Sequence, residues 1–256
     1  MQPTHISFTP LATAAQKPKG ADIWLLDFSA LTENQSAAFS HLVSAEELAR
    51  AQTFKRNRHH FLATRALVRT VLAYYTGLPS ASLEFAKKEQ GKPYLINVPS
   101  PIYFNLSHSG NVAALAVSAA GEIGVDIETI RPRNFLAIAE RYFHADELTQ
   151  LLALPEAKRE ALFFQLWTLK EAFFKATGGG ISSGLDKACF QITDKNICVN
   201  FADELHTQPN HWQFEQAVIA HNCLMAVALK TTKAMQCQFF DGKALLLDAL
   251  PRIKRI

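Results

Sequence analysis

The residues best suited to chemistry are three carboxylates and a few cations set in two short segments. Gly124-Val125-Asp126-Ile127-Glu128 reads as a strand. Successive strand side chains point to opposite faces, so Asp126 and Glu128 share one face while Val125 and Ile127 take the other. The plain reading of such alternation is a polar outer face on an edge strand. The functional reading is a hard-cation site, because adjacent like charges repel unless a metal ion or a proton neutralises them.

The second segment is Trp167-Thr168-Leu169-Lys170-Glu171-Ala172-Phe173-Phe174-Lys175. On a helix Trp167, Glu171 and Lys175 are four apart and form one stripe. A surface ion pair at this spacing contributes only about 0.2–0.5 kcal/mol. The surroundings argue against a surface: Leu162, Phe163, Phe164, Leu166, Leu169, Phe173 and Phe174 cover the helix on nearly every side, as in a buried helix. Lys170, Glu171 and Lys175 then need partners, and a metal for the glutamate and phosphates for the lysines would serve.

Two further segments are compatible with phosphate binding. Phe104-Asn105-Leu106-Ser107-His108-Ser109-Gly110 runs from an apolar strand into hydroxyls, an imidazole and a glycine. By itself it is a hairpin turn. It is no serine-hydrolase centre, since Ser107 and His108 are sequence neighbours and the chain has no GxSxG elbow. Hydroxyls, backbone N–H groups and His108 can, however, donate to phosphate oxygens. In Glu89-Gln90-Gly91-Lys92-Pro93-Tyr94 a turn offers a glycine that permits close backbone approach and a lysine charge.

The elements that must position these groups fall into two similar halves. Residues 22–28 read as a strand and about 33–75 as helical, with Phe61, Leu62, Leu67, Val68, Val71 and Leu72 at helical spacing and Gly77-Leu78-Pro79 as the stop. Short extended pieces follow at 83–85 and 102–104, then an apolar run at 111–118. The second half has a strand at 122–128, helices at 135–141, 145–152 and 156–177, and a glycine stop at Gly178-Gly179-Gly180. Strand-like pieces near 189–193, 197–201, 212–217 and 224–230 end the readable part. This pattern is α+β, with two lobes, residues 1–118 and 119–256, each a small antiparallel sheet packed with helices.

At 256 residues, with 48% hydrophobic and 19% charged residues, the chain can bury a core without disulfide staples. Cys189, Cys198, Cys223 and Cys237 form no CxxC pair and read as core thiols of a reducing compartment rather than metal ligands. Met1–Pro10 has no basic start followed by an apolar run, and no apolar run is long enough to span a membrane, so the expectation is a chain without a signal peptide in the cytoplasm. A net charge of +3 selects neither nucleic acid nor membrane as a partner.

Taken together and in order, Gly91-Lys92-Pro93, Phe104–Ser109, Gly124–Glu128 and Trp167–Lys175 resemble the signature blocks of the Sfp-type 4′-phosphopantetheinyl transferases. The likeness extends to Arg50–Phe54 and Arg65–Arg69 and spans roughly residues 44–185. It implies transfer of the phosphopantetheine arm of coenzyme A to a serine of an apo acyl or peptidyl carrier protein, with release of adenosine 3′,5′-bisphosphate. It further implies two pseudo-twofold-related lobes, a monomer, and Mg²⁺ (or Mn²⁺) held by Asp126, Glu128 and Glu171. By the same likeness Glu171 is the candidate base, Lys175 and His108 act at the reacting phosphates, and Lys170 lies near the diphosphate. Arg50 would reach the 3′-phosphate, Gly91, Lys92 and Pro93 would lie beside the adenosine, and Ser107 belongs to the phosphate segment. The stretch Arg141–Glu147 is expected to dock the carrier. Two other readings fit the carboxylates: another Mg²⁺-dependent phosphoryl or nucleotidyl transferase, although Gly178-Gly179-Gly180 lacks the GK[ST] of a P-loop, and a non-catalytic carrier-binding module.

Overall fold

A computed structural model describes residues 6–10, 17–18, 20–179, 184–193, 196–219 and 222–249. The first half comprises β1 (Ala21–Asp27), α1 (Glu33–Ala38), α2 (Ala45–Gln52), α3 (Arg58–Thr76), the hairpin β2 (Glu84–Lys87) and β3 (Pro93–Ile96), then β4 (Tyr103–Ser109) and β5 (Val112–Ser118). The helical region expected over 33–75 is thus three helices. Thr32 and Ser44 start α1 and α2 with capping boxes, and Asn57, in the left-handed region, turns the chain into α3.

The second half repeats the plan. It contains β6 (Ile123–Thr129), α4 (Phe135–Tyr142), α5 (Ala145–Ala153), α6 (Glu156–Thr177), the hairpin β7 (Ala188–Ile192) and β8 (Ile197–Phe201), then β9 (Trp212–Ile219) and β10 (Cys223–Lys230). The sheets run β1-β5-β4 and β6-β10-β9, so each places the last of these three strands between the first and the second. Each half also carries one long helix and one separate two-stranded hairpin. This matched strand order is the twofold resemblance between the lobes.

One segment departs from the expected division at residue 119. β11 (Cys237–Asp241) and α7 (Gly242–Asp248) return to the first lobe, where β11 lies parallel to β1. Phe240 stacks on Trp24 with ring centroids 4.6 Å apart. Residues 237–248 therefore belong with residues 20–118, and the first sheet is mixed, not purely antiparallel. The segment has no motif and little periodicity, and only the buried partner β1 explains why it is a strand.

Three cores hold the molecule together. One joins the first sheet to α3 through Trp24, Leu26, Leu67 and Leu115. Another joins the second sheet to α6 through Phe163, Leu169, Phe173 and Ala226. The third lies between the two sheets, with Ile23, Ala114 and Ala116 against Val125, Ile127 and Val227. Helix, sheet, sheet and helix thus form successive layers. Val125 and Ile127 face the inter-sheet core, which turns Asp126 and Glu128 towards α6, as the alternation requires.

Gly124 sets how closely β6 and α6 approach. A Cβ there would lie 2.0 Å from the carbonyl oxygen of Ala172 and 2.5 Å from the amide nitrogen of Ala176. Both are helix backbone, with no side chain to swing aside. Gly124→Ala is expected to lower stability by about 1–3 kcal/mol, the usual cost of overpacking, and to weaken any chemistry of the carboxylates on β6 and α6 by separating the two elements. Denaturant melts and activity assays on the same preparation check both effects.

Candidate active site

The site grows from an unusual joint between the lobes. β6 pairs with β10 along one edge only. On its other edge, the amides of Val125, Ile127 and Thr129 donate to side chains of β4: Asn105 Oδ1 at 3.0 Å, Ser107 Oγ at 3.3 Å and Ser109 Oγ at 2.9 Å. Side chains two apart on β4 thereby take the place of a backbone ladder. Buried amides need partners, and three short polar side chains in alternation supply them.

This joint brings Ser107 to the carboxylates. Its hydroxyl donates to Asp126 Oδ1 at 3.1 Å and accepts from Lys175 Nζ at 2.9 Å as well as from the Ile127 amide. Lys175 Nζ also lies 2.6 Å from Asp126 Oδ1. Asp126 is 4% and Glu171 9% exposed. Asp126 Oδ2 and Glu171 Oε1 are buried without a hydrogen-bond partner. Burial, reinforced by Asp126 and Glu128 and only partly offset by Lys175, pushes the Glu171 carboxyl up to about 7. Burial likewise raises Asp126 above the usual carboxylate range against the pull of Lys175. Carboxylates with unused, buried oxygens are the kind of donor that suits a hard divalent cation. Glu128 is held from two sides: Trp167 Nε1 donates to Oε1 at 3.2 Å, and Arg133 donates to Oε2 at 3.0 Å.

Family models place the chain among known proteins. Residues 122–228 match the 4′-phosphopantetheinyl transferase superfamily model, and residues 30–120 match the N-terminal 4′-phosphopantetheinyl transferase model. The 4′-phosphopantetheinyl transferase HetI of Nostoc is 36% identical over 202 residues, covering 77% of this chain and 82% of HetI. Sfp of Bacillus subtilis is 34% identical over 176 residues, covering 68% and 77%. The chain belongs to the 4′-phosphopantetheinyl transferases. It is an enzyme that moves the phosphopantetheine arm of coenzyme A to a carrier-protein serine. Among solved structures, the holo-[acyl-carrier-protein] synthase of Thermotoga maritima matches 44% of this chain and 64% of its own, at 20% identity and a TM-score of 0.35.

Not every residue expected in the transferase site reaches it. Lys170 is fully buried, and its ammonium forms an ion pair with Glu147 at 2.6 Å. It also donates to the carbonyls of Leu185 and Ala188 and lies 5.4 Å from the Phe143 ring centroid. The neighbour of Glu171 in sequence points about 100° away around the helix, so Lys170 braces α6 against α5 and β7 instead of meeting a diphosphate. Glu147, 1% exposed, is equally unavailable for carrier docking. The Lys92 ammonium is also committed internally, donating to Glu122 at 2.7 Å, the Ile123 carbonyl at 3.1 Å and the Ala176 carbonyl at 2.6 Å. It ties the β2–β3 hairpin to β6 and to the last turn of α6. Its expected contact beside adenosine is replaced by this clamp.

His108 follows Ser107 on β4 and therefore leaves the opposite face of the strand, where it is exposed. There it faces His60, which stacks on Phe28 at 4.1 Å. Arg50 is exposed on α2 beside Phe61, at 5.7 Å from the ring centroid. Arg50 and Phe61 line a cavity of about 720 Å³ that also takes in Arg65, Arg69, Phe85 and Pro93, and His108 lies outside that lining. Glu47 engages two of those cations, accepting from Arg65 Nε at 2.7 Å and Arg69 Nε at 2.5 Å. Gly91, with φ +89°, makes the hairpin turn, and a Cβ there would meet nothing within 4 Å.

Arg133 and Asn105 are the site-shaping residues that sequence reasoning missed. Arg133 sits in the β6–α4 connection, where no periodicity marks it, with its guanidinium 4.6 Å from the Phe164 ring centroid. Asn105 could have been found by extending the alternation of Ser107 and Ser109 back by two residues.

Breaking the Lys170–Glu147 pair from either side should leave an uncompensated buried charge. Lys170→Met and Glu147→Leu are each expected to cost about 3–5 kcal/mol, measured by urea unfolding. Coenzyme A affinity measured on the folded fraction of Lys170→Met should stay within about twofold of the parent, as a bracing role requires.

Proposed function

We propose that Asp126, Glu128 and Glu171 hold a divalent cation, Mg²⁺ or Mn²⁺, while coenzyme A gives up its phosphopantetheine to a serine of an apo acyl or peptidyl carrier protein. The observation that carries this reading is the pair of unpartnered buried oxygens, Asp126 Oδ2 and Glu171 Oε1, which neither Lys175 on Asp126 nor Arg133 on Glu128 satisfies. An oxygen-only set with no imidazole or thiol favours these hard ions over zinc. When bound, the cation supplies charge neutralisation at the diphosphate.

The chain's own residues do the remainder. Lys175, 27% exposed at its side chain, is anchored by Asp126 and Ser107 and presents its ammonium to a phosphate oxygen. Ser107 stays an orienting group, since its hydroxyl already makes three hydrogen bonds. Glu171 is assigned as the acceptor of the carrier serine's proton, through the oxygen that the cation leaves free. The departing adenosine 3′,5′-bisphosphate belongs to the large cavity, where Arg50 meets the 3′-phosphate and Phe61 and Pro93 flank the base, while His108, exposed on the outer face of β4 and outside that lining, is assigned to the phosphates by family likeness alone. Both lobes of the site come from one chain, so a monomer is complete. We place the enzyme in the cytoplasm; among the described residues no helix is long and apolar enough to cross a membrane.

Incubation with coenzyme A, Mg²⁺ and several apo carrier proteins should give a phosphopantetheine adduct by mass spectrometry. ATP turnover with no adduct on any carrier would overturn the reading. Asp126→Ala is expected to abolish transfer with unchanged circular dichroism, and full activity of that variant would exclude the cation assignment. Trp167→Phe removes the indole donor to Glu128 without changing charge. It should weaken Mn²⁺ binding, followed by electron paramagnetic resonance, by about 10-fold, as is usual when a group that orients a metal ligand is lost.

A further inference from the structure

Away from the transferase site, the N-terminus of α5 meets β7 and brings an imidazole, a carboxylate and a thiol together. His144 is the N-cap of α5, and its Nδ1 accepts the Asp146 amide at 3.2 Å and lies 3.5 Å from Asp146 Oδ2. Cys189 enters from β7, nearly buried. One nitrogen, one oxygen and one sulfur of these three residues all lie within 4.8 Å of one another. They line a cavity of about 200 Å³ together with Asp186 and Asn200.

The arrangement is braced from behind. Glu147, fully buried, accepts the His144 amide on Oε2 at 2.9 Å and the Phe190 amide on Oε1 at 2.8 Å. Its two oxygens thus fix the residue that begins α5 and the residue that follows Cys189 on β7. Lys170 neutralises the same carboxylate at 2.6 Å. Backbones on both sides of the cluster are therefore held before any ligand arrives, which is how sites with low reorganisation cost are built. The tautomer is set as well: Nδ1 accepts an amide, so its lone pair is free of the proton. That bond is long, and a metal ion on Nδ1 would replace it.

We propose that His144, Asp146 and Cys189 form a second metal site, taking a borderline-soft divalent cation of the Zn²⁺ class. Thiolate and imidazole favour such ions, whereas Mg²⁺ prefers oxygen alone. The Cys189 sulfur exchanges its proton, released to solvent, for the bond to the metal. Water takes the remaining position. Lys187, on the same rim and partly exposed, is the like charge that the cation must tolerate. The bound ion ties α5 to β7, the two elements that Lys170 and Glu147 already brace, and leaves the three catalytic carboxylates free.

Titration of the full chain with Co²⁺ reads the site directly, because a thiolate ligand adds a near-ultraviolet sulfur-to-cobalt charge-transfer band. One equivalent is expected to develop the band, and Zn²⁺ should displace it and raise the melting temperature. The band should persist in Asp126→Ala and in Cys198→Ser, which removes the exposed thiol on β8. It should vanish in Cys189→Ser and weaken at least tenfold in His144→Ala, with phosphopantetheine transfer by Cys189→Ser confirming that the variant folds. Absence of the band in the parent, or its survival in Cys189→Ser, would overturn the proposal.

Discussion

The contact on which the rest depends is the row of hydrogen bonds from the amides of β6 to the side chains of β4. An exposed sheet edge invites pairing with a further strand. Here Asn105, Ser107 and Ser109 satisfy three amides in succession, and the edge is closed without continuing the sheet. The two sheets can then stack face to face while their edges stay joined. Because the bonding atoms are side chains, the joint has chemistry of its own. The hydroxyl that completes the ladder at Ile127 is the one that orients Asp126 and Lys175.

Gly124 and Lys92 act on the same geometry from other directions. The missing Cβ at Gly124 lets β6 lie against the backbone of α6, and the Lys92 ammonium bonds the end of that helix and the start of that strand at once. Strand, helix and hairpin are thereby locked around four charged groups that would otherwise disperse. Burial, with repulsion between the carboxylates added to it, appears as raised proton affinity at Glu171 and Asp126. A rigid frame around unpaired charge is the arrangement in which an added cation gains most.

Much of this was legible in the sequence. Alternation alone placed Asp126 and Glu128 on one face and Val125 and Ile127 on the other, and the all-round apolar character of α6 foretold burial of Glu171. The lysines show where such reasoning stops. Lys170 and Lys175 both needed partners, but their directions around α6 are set by what packs there, and Glu147, the partner of Lys170, lies on a helix with ordinary surface patterning. Lys92 looked like a turn residue free to meet a ligand, since nothing local reveals that Glu122 and the end of α6 lie above it. Arg133 carries no periodic signal because it sits in a connection. β11 escaped notice for a related reason: a short strand at the edge of a mixed sheet is defined by its neighbour, not by its own pattern.

That late return of β11 bears on how the molecule is made. β1 and its parallel neighbour are separated by nearly the whole chain, and such distant pairing is the slow, entropically costly kind. During synthesis the first lobe can gather its helices and antiparallel strands early, yet its sheet keeps one unfilled side until residues 237–241 have been made. Phe240 then closes over Trp24. A chain cut before residue 237 would keep the carboxylates of β6 and α6 but leave that indole uncovered, so shielding of the first lobe is assigned to a segment made long after its other strands.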